Sequence, residues 1–193
     1  MNKIFDQKGG TCTAMSIANA IESQLGVALS EEEIYQYMDK QKWDKKKGVR
    51  LPILLQRLKN DPIRNVKVKD FECLFNDRLK DNDKNYISRV RETLFKNSGK
   101  IIFIVKIRNR KKGEPVFNLS NDCFYIPRTT KVTSHHAMFV PRIAKVGVWS
   151  WKNYFLVENS WGEDWGKLGY MYIDFHSVMN EVQSIYSVNF EYV

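Results

Sequence analysis

The apolar residues of this chain change their spacing near its middle. From Thr11 to about Leu25 they recur at three- and four-residue steps, which is the period of a helix that buries one face. From Lys100 onward the chain carries β-branched runs and polar–apolar alternation, which are typical of strands. A helical half followed by a strand-rich half predicts an α+β fold, with a cleft between the two halves.

Local signals divide each half into elements. Gly26 is expected to end the first helix, and the capping box formed by Ser30 and Glu33 is expected to start the second. Two further helices are predicted at Leu51–Leu58 and Tyr86–Phe95. Strands are predicted at Lys100–Ile107, Ala137–Val140, Tyr154–Val157, Tyr170–Ile173 and Ser184–Tyr192.

The length of 193 residues favours one domain, residues 1–193. We predict a helical subdomain at residues 1–99 and a β-rich subdomain at residues 100–193, with the change near Gly99. A hydrophobic fraction of 43% gives such a chain enough apolar side chains for a core, which argues against a disordered protein.

Apolar runs and cysteines indicate the environment of the chain. Its longest apolar run, Ile101–Val105, is far shorter than the roughly 20 residues of a membrane span. The first residues contain no apolar run typical of a signal peptide. Three cysteines form at most one disulfide, so we expect the cytoplasm or another reducing compartment. We also expect Cys73 and Cys123 to be buried.

The formal charge of +9 favours anionic partners in a nonspecific way. Its clusters at Lys42–Lys47 and Arg108–Lys112 are short, which is typical of solvated loops. Since no nucleic-acid-binding motif accompanies them, nucleic acid is the least favoured partner.

Cys12 stands near the start of the first predicted helix, behind Gly9 and Gly10. A helix N-terminus favours a thiolate over a thiol, and glycines let the backbone approach a substrate carbonyl. Cys12 taken alone also fits a small buried residue.

His135 and His136 are two of the three histidines in the chain. A thiol nucleophile needs an imidazole that takes its proton and later returns it to the leaving amine. The same pair also fits metal ligands or ordinary polar residues at a strand start. Because no cluster of cysteine or histidine completes a zinc site, we expect no metal and no cofactor.

Asn159 begins the segment NSWGEDWGKLGY. An amide oxygen can accept a hydrogen bond from an imidazole N–H and so orient the ring. Trp161, two residues later, could exclude water from that bond and strengthen it.

Three segments together resemble the papain-like cysteine peptidases. They are DQKGGTCTAMS at Asp6–Ser16, the pair His136–Ala137, and NSWGEDWGKLGY at Asn159–Tyr170. Their order is the order of the Cys, His and Asn residues of that family. The resemblance implies the papain-like fold, with the active-site cleft between a helical N-terminal half and an antiparallel, β-rich C-terminal half.

The resemblance also implies roles for individual residues. Cys12 is the nucleophile, His136 the general acid and base, and Asn159 the residue that orients the imidazole. Gln7 joins the backbone N–H of Cys12 in an oxyanion hole. Trp161 shields the His–Asn pair.

Three further residues are implied to bind substrate. Gly48 resembles the glycine whose backbone pairs with an extended peptide. His135 and Ala137 flank the general base and are expected to line the pocket for the second residue before the scissile bond.

The sequence departs from the family pattern in the segment before the nucleophile. The interval from Gln7 to Cys12 is one residue shorter than usual, Thr13 replaces a tryptophan, and Gly9 replaces a cysteine. Only six residues precede Gln7, too few for the inhibitory propeptide of the family. We expect that a propeptide has been removed or that control works by other means.

We predict a cysteine endopeptidase that hydrolyses peptide bonds through a thioester, with a peptide or protein as its substrate and no membrane partner. Two alternatives remain open. One is a non-catalytic binding or regulatory protein on the same fold, favoured by the shortened loop and the missing tryptophan. The other is an acyl transferase or isopeptidase that uses the same three residues.

Overall fold

The computed structural model describes residues 10–40, 43, 48–78, 85–96, 99–147, 152–175 and 177–193. Helices dominate before residue 61 and strands dominate after residue 99, so the α+β prediction is confirmed. The elements are α1 (Cys12–Leu25), α2 (Glu31–Lys40), α3 (Leu51–Asn60), β1 (Val66–Asn76), α4 (Tyr86–Lys96), β2 (Lys100–Arg108), β3 (Val132–Val146), β4 (Lys152–Glu158), β5 (Tyr170–Asp174), α5 (Val178–Glu181) and β6 (Val182–Tyr192).

The six strands form one antiparallel sheet in the order β1-β6-β2-β3-β4-β5. In the centre of the sheet, β2 pairs with β3 so that Val105 lies opposite His136. Strand β3 pairs with β4 so that Phe139 lies opposite Glu158. This register brings His136 of β3 close to the residues that follow β4.

Helix α1 is buried more completely than its amphipathic pattern predicts. Its residues from Thr13 to Ile21 are all buried, because α1 contacts α2 and α3 as well as strands β2, β3 and β6. The small side chains of Ala14, Ala18 and Ala20 allow neighbours to approach on several sides. The first helix is therefore the central element that joins the helices to the sheet.

The predicted start of α2 is confirmed in detail. The backbone N–H of Glu33 donates to Ser30 Oγ at 3.2 Å, and the backbone N–H of Ser30 donates to Glu33 Oε2 at 2.8 Å. This reciprocal pair satisfies two amides at the helix N-terminus. The predicted end of α1 is also present, since Gly26 caps it with a φ of 71°.

Strand β1 has no counterpart among the predicted strands. It lies at one edge of the sheet and pairs with β6, with Val66 opposite Tyr192. Its burial pattern is irregular, with register shifts that interrupt the alternation a strand is expected to show. The N-terminal half thus supplies a strand to the sheet, while the division into 1–99 and 100–193 stays a prediction.

Cys12, Cys73 and Cys123 all lie within the described residues, and each is a free thiol. Cys123 is buried, as expected. The prediction that Cys73 is buried is wrong, because Cys73 lies in an exposed stretch of the edge strand β1. Among the described residues, no helix is long and apolar enough to cross a membrane.

Candidate active site

Cys12 is the first residue of helix α1 and is partly buried. The N–H groups of a helix's first turn have no intrahelical partner and carry the positive end of the helix dipole. Thr11, the residue before the helix, forms no side-chain cap with this turn. A negative charge on Cys12 is therefore favoured by the position of the residue in the fold.

His136 lies on β3 with its side chain 4% exposed, and it hydrogen-bonds to the Cys12 thiol. Burial of the sulfur raises the pKa of Cys12. The hydrogen bond and charge of His136 act in the opposite direction, as does a hydrogen bond from the backbone N–H of Ala137. Together these contacts lower the pKa of Cys12 to about 7, so the thiolate is accessible near neutral pH.

Asn159 follows β4 directly and is completely buried. His136 Nε2 lies 2.6 Å from Asn159 Oδ1, and the backbone N–H of Ser160 donates to the same oxygen at 2.8 Å. The Ser160 donor requires the amide oxygen, and not the amide nitrogen, to face this way. Nε2 of His136 is therefore the protonated donor, which leaves Nδ1 for the thiol of Cys12.

An aromatic cluster covers the His136–Asn159 pair, and we define it as Phe117, Trp161 and Trp165. The ring of Trp161 lies 4.7 Å from the ring of His136, and the ring of Phe117 lies 6.0 Å from it. The rings of Phe117 and Trp161 are 5.3 Å apart, and Trp165 contacts both of them. Because these rings displace water, they strengthen the hydrogen bond beneath them.

Gly48 lies against the segment that precedes the nucleophile. Its φ is +70°, and a Cβ added there would be 2.5 Å from the backbone oxygen of Gly10. Thr13 Oγ1 of α1 donates to the backbone oxygen of Val49 at 3.0 Å, so α1 is also joined to the segment that contains Gly48. Only a glycine permits this approach at position 48.

A buried carboxyl group connects α1 to the end of β4. Glu158, the residue before Asn159, accepts a hydrogen bond from Asn19 Nδ2 of α1. It accepts a second one from the hydroxyl of Tyr170 at 3.0 Å. Its side chain is almost fully buried, and burial raises the pKa of Glu158 to about 7.

The described site brings together Cys12, His136, Asn159, Ala137 and Trp161. His135 is not brought to Cys12: its side chain is exposed, and charges on Asp77, Arg78 and Lys106 act on it instead. Gln7 lies outside the described residues. Gly48 lies beside Gly10, two residues from the nucleophile.

Sequence reasoning did not single out Phe117, Asn19 or Glu158. Phe117 lies in the long connection between β2 and β3, where no periodic pattern distinguishes one aromatic residue from another. Asn19 did carry a signal, because it is an amide residue with Ala18 and Ala20 on either side of it in α1. A buried amide of that kind requires a partner, and Glu158 is that partner.

Residues 66–188 match the sequence model of a family described as papain family cysteine protease. The matched region includes His136 and Asn159, whereas Cys12 and Gly48 lie before it. No curated protein matches the chain. In the described residues, no group of three or more His, Cys, Asp or Glu side chains is arranged to hold a metal ion.

Proposed function

The chain belongs to the papain family of cysteine proteases, and on that premise we propose that it hydrolyses peptide bonds through Cys12, His136 and Asn159. One observation carries the proposal. The His136 side chain is hydrogen-bonded to the Cys12 thiol, while its Nε2 lies 2.6 Å from Asn159 Oδ1. A nucleophile, a base and a group that orients the base form the arrangement required for acyl transfer.

The first step forms a thioester. The Cys12 thiolate attacks the carbonyl carbon of the scissile bond, and the carbonyl oxygen becomes an oxyanion. The backbone N–H of Cys12, at the start of α1, is one donor for this oxyanion. We assign Gln7 as the second donor on the basis of the family pattern. The C–N bond then breaks, and the His136 imidazolium gives its Nδ1 proton to the departing amine.

The second step releases the acid. Neutral His136 takes a proton from a water molecule, and the resulting hydroxide attacks the thioester carbon. The C–S bond breaks and Cys12 leaves as a thiolate, while His136 regains its positive charge. Asn159 holds the ring throughout, because its Oδ1 accepts a hydrogen bond from Nε2–H in both charge states of the histidine.

Hydrolysis of an unfolded protein and of a mixed peptide library tests the proposal, with products identified by mass spectrometry in a reducing buffer. We expect the wild type to cut peptides and the Cys12→Ala variant to cut none. Cys73→Ser is the matched control, since it removes an exposed thiol outside the site. Absence of cleavage by the wild type, or equal cleavage by Cys12→Ala, would refute the proposed function.

A further inference from the structure

A cavity lies next to the aromatic cluster. It has a volume of about 440 Å³ and is lined by Trp161, by Ser134 of β3, by Val116, and by the end of β2 with the residues that follow it, including Arg108 and Arg110. Among the described residues that line it, two are arginines and none carries a carboxylate. The cavity is therefore suited to an anionic group.

Its place in the fold relates it to the reaction. Trp161 contacts His136, and His136 gives its proton to the leaving amine in the proposed mechanism. Ser134 precedes His136 by two residues on β3, a distance of about 7 Å along the strand, and its side chain is directed to the same face. An extended substrate advances by a similar length over two residues. The cavity thus lies within about two substrate residues of His136, the group that protonates the leaving amine in the proposed mechanism.

The two arginines differ in their availability. Arg108 is bound on all sides: its Nε lies 3.2 Å from Glu181 Oε2, and its other nitrogens donate to backbone oxygens of Thr130 and Asn180. Arg110 is exposed, and one of its nitrogens donates to the backbone oxygen of Glu114.

The carboxylate of Glu114 is directed elsewhere, to the backbone N–H of Lys111 and to Arg128. No carboxylate within the described residues forms an ion pair with Arg110. Lys111 and Lys112 follow it and keep the local charge positive. Glu163 and Asp164, which follow Trp161 in the chain, do not line the cavity.

We propose that Arg110 binds a carboxylate on the leaving-group side of the substrate, within two residues of the bond that is cut. The inference rests on the proposed function. The carboxylate belongs either to an acidic side chain or to the C-terminus of a short substrate, and both present the same group to a guanidinium.

The test uses a parent peptide taken from the library that the wild type cuts. Four versions of it are compared, in two pairs. One pair carries Glu or Gln at the second position beyond the scissile bond, with the C-terminus far away. The other pair ends at that position, with either a free carboxylate or an amide. We expect the charged member of at least one pair to have a kcat/KM about tenfold higher. The pair that responds identifies the source of the carboxylate.

The variants separate Arg110 from the general surface charge. Arg110→Gln should reduce the ratio within the responding pair to about one, Arg110→Lys should keep part of it, and Lys112→Gln should leave it unchanged at physiological salt. A wild-type ratio near one, a ratio that survives in Arg110→Gln, or an equal loss in Lys112→Gln would overturn the inference. Since the comparison uses ratios, a peptidase without this preference is distinguished from a protein that cuts nothing.

Discussion

His136 Nε2 and Asn159 Oδ1 are 2.6 Å apart although the two residues are 23 positions apart in the chain. His136 lies within β3, and Asn159 directly follows β4. The pairing of β3 with β4 sets the distance between them, and the aromatic cluster covers them. The orientation of the imidazole is therefore set by the sheet together with the aromatic cluster that covers the pair.

Replacement of Asn159 by alanine should reduce kcat about 10- to 100-fold with little change in KM. Without the Oδ1 acceptor the ring of His136 can rotate, and the fraction of molecules with Nδ1 at the thiol decreases. Steady-state kinetics on a library-derived peptide measure this. Asn153→Ala, on β4, is the control. An increase in KM at constant kcat would assign Asn159 to substrate binding instead.

Alkylation of Cys12 by iodoacetamide should follow a titration with a midpoint near pH 7. The rate should rise with pH through this midpoint because the thiolate is the reactive form. Partial desolvation of its sulfur raises the pKa of Cys73, so at pH 7 the label should accumulate on Cys12 first. In His136→Ala the midpoint should move to higher pH. The hydrogen bond and charge that lower the Cys12 pKa are then absent, while burial still raises it. Mass spectrometry of labelled peptides measures both sites, and an unchanged midpoint in His136→Ala would contradict the effect of His136 on the Cys12 thiol.

Gly48→Ala should destabilise the protein more than Gly26→Ala does. Both glycines have a φ near +70°, so both variants lose about 1–2 kcal/mol to backbone strain. Only at position 48 does the new Cβ meet a backbone atom, Gly10 O at 2.5 Å. The additional loss should be about 1–3 kcal/mol in urea unfolding, with slower labelling of Cys12. Equal losses in the two variants would show that the contact with Gly10 has no energetic effect.

Glu158→Gln should remove a pH dependence of stability. Burial raises the pKa of Glu158 from 4.5 to about 7, so the folded state binds a proton more tightly than the unfolded state does. The contribution of Glu158 to stability is therefore largest below pH 4.5. It falls by roughly 3 kcal/mol between pH 4.5 and 7 and is constant at higher pH. Urea unfolding at several pH values measures the slope. The glutamine variant should be flatter and more stable at pH 8, whereas the exposed Glu163→Gln should keep the wild-type slope.

The helices were accessible from the sequence because their signals are local. The capping box at Ser30 and the glycine stop at Gly26 are examples, and each involves residues a few positions apart. Strand β1 was not predicted, since its register shifts and its position at the sheet edge break the alternation that identifies a strand. The motif NSWGEDWGKLGY led to Asn159 and Trp161, which the fold brings to His136.

Contacts between residues far apart in the chain could not be predicted from local sequence signals. Phe117 reaches His136 from a connection without periodicity, and Glu158 meets Asn19 across 139 positions. In the sequence Arg110 is only one charge in a basic run. Its position in the cavity beside Trp161 distinguishes it from Lys111 and Lys112. Such contacts depend on tertiary packing, which brings together residues far apart in the chain.

Covalent labelling of Cys12 by a thiol-directed epoxysuccinyl probe tests the central claim most directly, because it requires an active thiolate and no knowledge of the substrate. The protein is incubated with the probe at neutral pH in reductant, and the adduct is located by mass spectrometry in the wild type, Cys12→Ala and His136→Ala. We predict one adduct, on Cys12 of the wild type, none in Cys12→Ala, and labelling at least tenfold slower in His136→Ala. An unlabelled wild type, or equal labelling in His136→Ala, would contradict the assignment of Cys12 and His136 as a catalytic pair.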